Sequence, residues 1–461
     1  MGIDSTESFR GAWKKIVTKI VIFDAANELH GARALGDLFS LPIHLRGSRI
    51  VLVDEDASAL AHMARYAQRI NESQGELFEI EAVTERRAAL QGADFVLQLP
   101  LRESIETSAA DWRVPLRHGV RHLAGRSGGP GALARTLRLM PRLLARVRDV
   151  EAAAPQARFV NQAEPLGRSS TLLAQYTSLR WVGAPRVRAA GYFWLSHAFG
   201  WKHAADSKHD EHGEEQIMRD AMRRLRTRAA GLHGLSFFLS LRERRSGDDL
   251  YPRLRDRLAV ALPDFELLSR RLFEVFGLYC TSGDAVVGEF TALAAETMAL
   301  HGPDVEADLR AVAAAREQVH AVGDGKIVPA YGVVRASQSR AAPLIAALVN
   351  DLAYSEAALV LPNEGRMEQL PVRAAIETPA FVAAGELRGE PIGPLPDGVM
   401  SLLQRESTIA ALAVDAALTG DRATALQALL LDTHVHSYAQ ATHLLDDLLQ
   451  VHREDLPNFY S

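Results

Sequence analysis

Strands and helices alternate through the first third of this chain, and that order leaves few folds open to it. Lys19-Ile20-Val21-Ile22-Phe23 is a short β-branched run, and helical spacing follows from Glu28 to Phe39. Arg49 to Asp54 is a second buried-strand pattern that ends on an acid, and Ala57 to Asn71 is helical with Leu60, Met63, Ala64 and Ala67 on one face. Phe78–Val83 alternates as a half-buried strand does, and Ala93–Leu97 and Arg158–Asn161 are two more apolar runs. Between these last two lies a long helix, about Leu133 to Ala153, repeating Leu137, Met140, Leu144, Val147 and Val150 at three- and four-residue steps. Helices that connect consecutive strands must cross a sheet face, so the strands run parallel with both faces covered.

The predicted fold is therefore α/β: a Rossmann-like, doubly wound parallel sheet over residues 1–185, then a helix-rich α+β domain over 186–461. In the second part, strands are expected at Ala357–Leu361 and Ala374–Glu377, bounded by Pro-Asn-x-Gly and by prolines. Ser401 to His452 is nearly all helix, broken near Thr419-Gly420 and Asp432. A net charge of −5 argues against a chain built to coat nucleic acid or an anionic membrane. One cysteine, Cys280, rules out an internal disulfide. No apolar run reaches the ~18 residues of a spanning helix. A cytoplasmic protein with no nucleic-acid or membrane partner is the expectation.

A dinucleotide site in such a sheet needs glycines in the first strand–helix turn, so that the backbone can approach the pyrophosphate. Here the turn is Asp24-Ala25-Ala26-Asn27, with no glycine before Gly31, and Asp24 would set a carboxylate where phosphates should lie. Asp54, ending the second strand, stands where an acid would hold an adenosine ribose. The competing reading is that Asp54 caps the helix after it.

Several segments together resemble glycoside hydrolase family 4, the NAD- and manganese-dependent glycosidases, in its α-galactosidase and α-glucuronidase/galacturonidase branch. They are VLVDEDASALAHMARYAQRI (51–70), GADFV (92–96), GGPGALARTLRLMP (128–141), Pro155 to Asn161, Gly277-Leu278-Tyr279, Ser282-Gly283-Asp284, Glu289-Phe290, LPNEGRMEQLPVRAAIETP (361–379) and ALQALLLD (425–432). The resemblance spans Lys19 to about Phe459. It implies a sugar or sugar-acid ligand and a homo-oligomer (dimer or tetramer), with residues 186–461 as the substrate and oligomerisation domain, and a bound NAD that takes hydride from the sugar C3. It also implies a divalent metal that polarises the C2 and C3 oxygens while a base removes the C2 proton.

The family's functional positions are altered. Its glycine-x-glycine-serine turn corresponds to Asp24, Ala25, Ala26 and Asn27. Its metal cysteine corresponds to Pro185, with Arg186 next, and its metal histidine to Gly234, one residue after His233. A later family histidine corresponds to Val286, two residues past Asp284. Of an asparagine-x-x-asparagine-proline motif, Asn161 and Pro165 remain while Glu164 replaces the second asparagine. The resemblance thus implies weak or absent NAD and Mn2+ here, and a non-catalytic or divergent sugar-binding member. The alternative is an active glycosidase or lyase-like enzyme on a glycoside or uronide, with remodelled ligands. Arg102, Asn161, Arg186, His233 and Asp284 are the substrate-pocket candidates; Arg126 borders the same pocket.

Other clusters have plainer readings. His209-x-x-His212, within an acidic run from His203 to Glu215, has the spacing of a metal pair but the composition of a solvated loop. Arg219, Arg223, Arg224, Arg226 and Arg228 are expected on one helix after it, paired with that acidic run. Cys280 is expected to be a small buried residue, and His434-Val435-His436 to lie within helix.

Overall fold

The computed structural model describes residues 17–185, 189–201, 211–261, 265–329 and 339–460. Its centre is a parallel ladder of β1 (Lys19–Phe23), β2 (Arg49–Val53), β3 (Glu79–Val83), β4 (Phe95–Gln98), β5 (Arg158–Asn161) and β6 (Arg180–Gly183). The order is β3-β2-β1-β4-β5-β6, so the winding reverses between β1 and β4. A ligand crevice is expected outside the carboxyl ends of the strands at that reversal.

Alternate residues of each central strand go to opposite faces. Val21, Phe23, Val51, Val53 and Val96 join one core, under helices Gly129–Ala153 and Asp397–Thr419. Ile20, Ile22, Ile50, Leu52 and Leu97 join the other, under Glu28–Phe39, Ala57–Ser73 and Val305–Gly323. Both faces are dry, which is why these strands are continuous apolar runs.

The sheet continues past β6. β7 (Leu225–Leu232) and β8 (Leu235–Glu243) form a hairpin, and β9 (Tyr354–Pro362) pairs antiparallel with both β6 and β10 (Ala375–Ala383). β10 also pairs with β7, and β11 (Glu386–Gly389) pairs with β10, making eleven strands.

Three expectations need correction. The arginine-rich helix is Glu211–Arg224 and stops there; Arg226 and Arg228 lie on β7, where Leu225, Ala229 and Ala230 are buried against β8. Arg228 pairs with Glu390 at 2.9 Å, far from the acidic run in sequence. β10 is longer than expected and carries Pro379 inside it, at a register shift between Thr378 and Ala380 that frees the proline from ladder duty. His434 and His436 lie between helices Arg422–Leu431 and Tyr438–Val451, with His434 buried and His436 exposed.

The β1–helix turn is closed by contact. A Cβ on Gly31 would stand 2.1 Å from the Ala25 carbonyl oxygen, so only glycine lets the Glu28–Phe39 helix lie this close to the turn. Gly31→Ala is expected to lower stability by about 2–3 kcal/mol as the helix is pushed off β1, measured by denaturant unfolding; an unchanged midpoint would mean the turn yields freely.

Candidate functional site

The end of β1 carries a charge network in place of a phosphate cradle. Asp24 adopts φ 56°, a left-handed conformation open to glycine and tolerated by aspartate. Its side chain turns onto the sheet: Arg146 Nη2 donates to Oδ1 at 2.9 Å and Gln98 Nε2 to Oδ2 at 2.6 Å. Arg146 comes from the Gly129–Ala153 helix and Gln98 from the end of β4, so this one carboxylate ties three elements together.

Asp54 is the second tie. Its Oδ2 accepts the Ala26 N–H at 3.0 Å and its Oδ1 the Asp56 N–H at 3.1 Å. Burial raises its pKa, against these hydrogen bonds and Arg102. It does not cap the following helix; Asp56 does, accepting the Ala59 N–H at 2.9 Å. Asn27 caps the Glu28–Phe39 helix by accepting the His30 N–H at 3.1 Å. Asp24, Asp54, Glu55 and Asp56 with Arg86, Arg102, Arg142 and Arg146 line a cavity of about 180 Å³ here. Arg102, a substrate-pocket candidate, lies in it with Asp56 3.3 Å away.

These residues do not fit a pyrophosphate. The turn presents a carboxylate and no glycine for close backbone approach, and Asn27 already takes the third N–H of the helix, that of His30, so the anion-binding terminus is partly spent. The residues expected at the metal positions fare no better. Pro185 is buried and carries no donor. Gly234 sits at φ 88° in the two-residue β7–β8 turn, where any Cβ would stand 2.7 Å from the Phe290 ring. His233, beside it, gives Nδ1 to Glu377 Oε1 at 3.0 Å. Among the described residues no group of three or more His, Cys, Asp or Glu side chains is placed to hold a metal ion.

A larger crevice of about 530 Å³ opens at the β1/β4 reversal. Asn27 and His30 come to it from after β1, Pro100, Leu101, Glu103, Ser104, Ile105 and Ser108 from after β4, and Glu164 from after β5. Arg126, Ser127, Arg135, Glu289 and Asp308 complete its polar wall. Arg135 is held by Glu103 at 2.5 Å and Arg126 by Asp308 at 2.7 Å. Glu289 accepts three backbone N–H groups, from Arg126 (3.0 Å), Ser127 (2.6 Å) and Gly128 (3.1 Å), which offset the upward push of burial on its pKa. Glu164 Oε2 accepts the Leu166 N–H at 3.0 Å at the start of the next helix.

The remaining expected residues separate from this crevice. Asn161 is wholly buried; its amide donates to Ser169 Oγ at 2.8 Å and its Oδ1 accepts the Ala163 N–H, bracing the turn after β5. Asp284 accepts the Leu268 and Ser269 N–H groups at 2.9 and 2.7 Å, closing the start of helix Leu267–Phe276. Arg186 and His209 lie outside the described residues, as does the side chain of His212. Cys280 is fully buried and its thiol is pushed far up, first by burial, which makes it a packing residue. Sequence reasoning missed Glu103, Arg135 and Arg168. Arg168 alone left a trace: an arginine opening a helix whose other early residues are apolar or small.

The relatives of the chain agree with this architecture. Residues 19–188 match the family 4 glycosyl hydrolases and residues 229–435 the family 4 glycosyl hydrolase C-terminal domain. An alpha-glucosidase of Erwinia rhapontici is 27% identical over 94% of this chain and 97% of its own length. An alpha-galacturonidase of Bacillus subtilis is 26% identical over 82% and 86%. Among solved structures, a 6-phospho-beta glucosidase from Thermotoga maritima, with manganese, NAD+ and glucose-6-phosphate, superposes with a TM-score of 0.75 at 18% identity, covering 95% of this chain and 99% of that one. A 6-phospho-alpha-glucosidase from gut microorganisms, in complex with NAD and Mn2+, gives 0.76 at 15% identity, covering 95% and 99%. The matched segments take in most of the chain and both parts of its sheet, and the chain belongs to glycoside hydrolase family 4.

Proposed function

We propose that this chain is a glycosidase or lyase-like enzyme that acts on a glycoside or uronide held in the β1/β4 crevice, with groups other than the family's cofactor and metal residues carrying the chemistry. The observation that carries this reading is the retained crevice, lined by paired charges and hydroxyls, in a chain whose near-full-length relatives are named as glycosidases. Sugar hydroxyls are met by such convergent polar groups without redox chemistry. Proton transfer is common to hydrolysis and elimination, and Glu164 is the carboxylate that β5 delivers to the crevice. Arg126 and Arg135, each steadied by a carboxylate, hold an acidic or hydroxylated ligand in place. The lost NAD turn and metal donors favour a second reading, a sugar-binding member without turnover, as the sequence led one to expect. It is the weaker reading beside relatives that are enzymes.

Three measurements test this. Calorimetry with NAD and NADP is expected to show no binding below millimolar concentration, because Asp24 and Asn27 occupy the groups a pyrophosphate would use; a micromolar dissociation constant would overturn the remodelled site. Nitrophenyl glycosides, glucuronides and galacturonides should include at least one that is turned over, and Glu164→Gln should slow it by roughly 100-fold or more. Exchange of the substrate C2 hydrogen with deuterated water separates the readings further. Turnover without exchange supports chemistry apart from the family's C2 proton abstraction, whereas neither turnover nor exchange, with sugar still bound, establishes the second reading.

A further inference from the structure

Arg168 is an anomaly of charge. It lies in the first turn of helix Leu166–Tyr176, is 4% exposed, and makes no hydrogen bond or ion pair with any described residue. Its Nη1 is fully buried and unpartnered. A guanidinium withdrawn from water needs a counter-charge and partners for its donors. The two carboxylates that act on it through space are already engaged: Glu406 with Arg405 Nη2 at 3.1 Å, and Asp432 with His434 Nδ1 at 2.7 Å.

Arg168 faces a small cavity of about 30 Å³ with Thr171 on the same helix, Ser127, His233 from the β7–β8 turn, and Glu406 and Ser407 from helix Asp397–Thr419. That volume is roughly two water positions, the size of the two oxygens of a carboxylate. Ser127 also lines the large crevice, so the two spaces are neighbours. A guanidinium meets a carboxylate through two parallel N–H···O bonds, and the Ser127 hydroxyl can serve a remaining lone pair, joined by that of Thr171 when it turns from the Gly167 carbonyl, to which it donates at 2.9 Å.

We propose that Arg168, with Thr171 and Ser127, forms a binding site for a carboxylate-sized monoanion, supplied as a free small anion or as the carboxylate of an acidic sugar seated in the crevice. The second source rests on the proposed function; the first does not. Glu406 shares the cavity and sets its pH dependence. Its pKa is pushed up to about 7, chiefly by burial and then by Asp432, against Arg168 and Arg405. His434 stands beyond Asp432, and His233 is held by Glu377. Below pH 7 Glu406 is largely neutral and the cavity favours an anion; above it the carboxylate ionises and repels one.

The test is calorimetry on the full chain at constant ionic strength with sodium formate, D-galacturonate and D-galactose. Formate is expected to bind at pH 6 and to weaken at least ten-fold at pH 8. Arg168→Met should abolish binding at both pH values, and Glu406→Gln should retain at pH 8 the affinity seen at pH 6. Thr171→Val, a milder change in the same cavity, should weaken binding several-fold with the melting temperature kept, so the site is tested even where Arg168→Met unfolds. Galacturonate binding at least ten-fold tighter than galactose, with the difference erased by Arg168→Met or Thr171→Val, identifies the acidic sugar as the source. Formate bound with no such preference supports the site and assigns it to a free anion. No formate binding to the wild type at pH 6, or binding untouched by these variants, overturns the proposal and leaves the crevice reading to its own turnover test.

Discussion

The central parallel ladder, buried on both faces, is the constraint on which the rest of the molecule depends. β1 sits between β2 and β4 with every residue from Ile20 to Phe23 hidden, and its hydrogen bonds are all spent on its neighbours. Such a strand has nowhere to put a polar side chain except at its end. Polar groups able to meet a ligand therefore gather at the carboxyl edge of the sheet, where the chain turns out of β1, β2, β4 and β5. The antiparallel extension through β9, β10, β7 and β8 brings a second set of turns to the molecule, including the His233-Gly234 tip, without exposing the first ladder.

At that edge the protein has exchanged one electrostatic solution for another. A turn that serves a dinucleotide leaves N–H groups open and meets the ligand's negative charge with the helix terminus. Here the negative charge belongs to the chain. Asp24 is neutralised by Arg146 and shielded by Gln98, Asp54 bridges the β1 and β2 turns, and Asn27 closes the helix. Asp24 and Arg146 are both buried and pair with each other, so removing either would strand a buried charge rather than merely vacate a site. The same logic makes Arg168 stand out, since it is buried without such internal satisfaction.

Much of the scaffold was legible because burial on both faces writes itself into sequence as unbroken apolar runs. The strands of the first ladder and the long helices over it follow directly from Val, Ile and Leu spacing. The β7–β8 hairpin was not legible. Arg226, Thr227 and Arg228 follow a true helix without a proline or glycine to end it, and what fixes them as strand is pairing with Arg242, Leu241 and Ser240 of β8 across the hairpin. Pro379 misleads in the opposite sense: a proline predicts a strand's end, but a bulge accommodates it inside β10. Of the site, the sequence marked Asp24, Asp54 and the altered metal positions, each tied to a fixed place in a turn. It could not tell that Asn161 spends its polar atoms on the Ser169 hydroxyl and the Ala163 N–H, and Asp284 on the backbone of Leu268 and Ser269.

The sequence by itself determined the doubly wound sheet and the family, and it sets no glycine in the turn after β1, a proline at 185 and a glycine at 234. These are local properties: period, residue type and spacing. Only the tertiary structure decided which charges cancel. Asp24 and Arg146 are 122 residues apart, Arg126 and Asp308 are 182 apart, and nothing in spacing links them. Whether a carboxylate repels a ligand or is consumed by an arginine, and whether an arginine is paired or left facing a cavity, depends on side-chain directions across packed elements. Those directions are set by how helices lie on the sheet, a property of the folded whole.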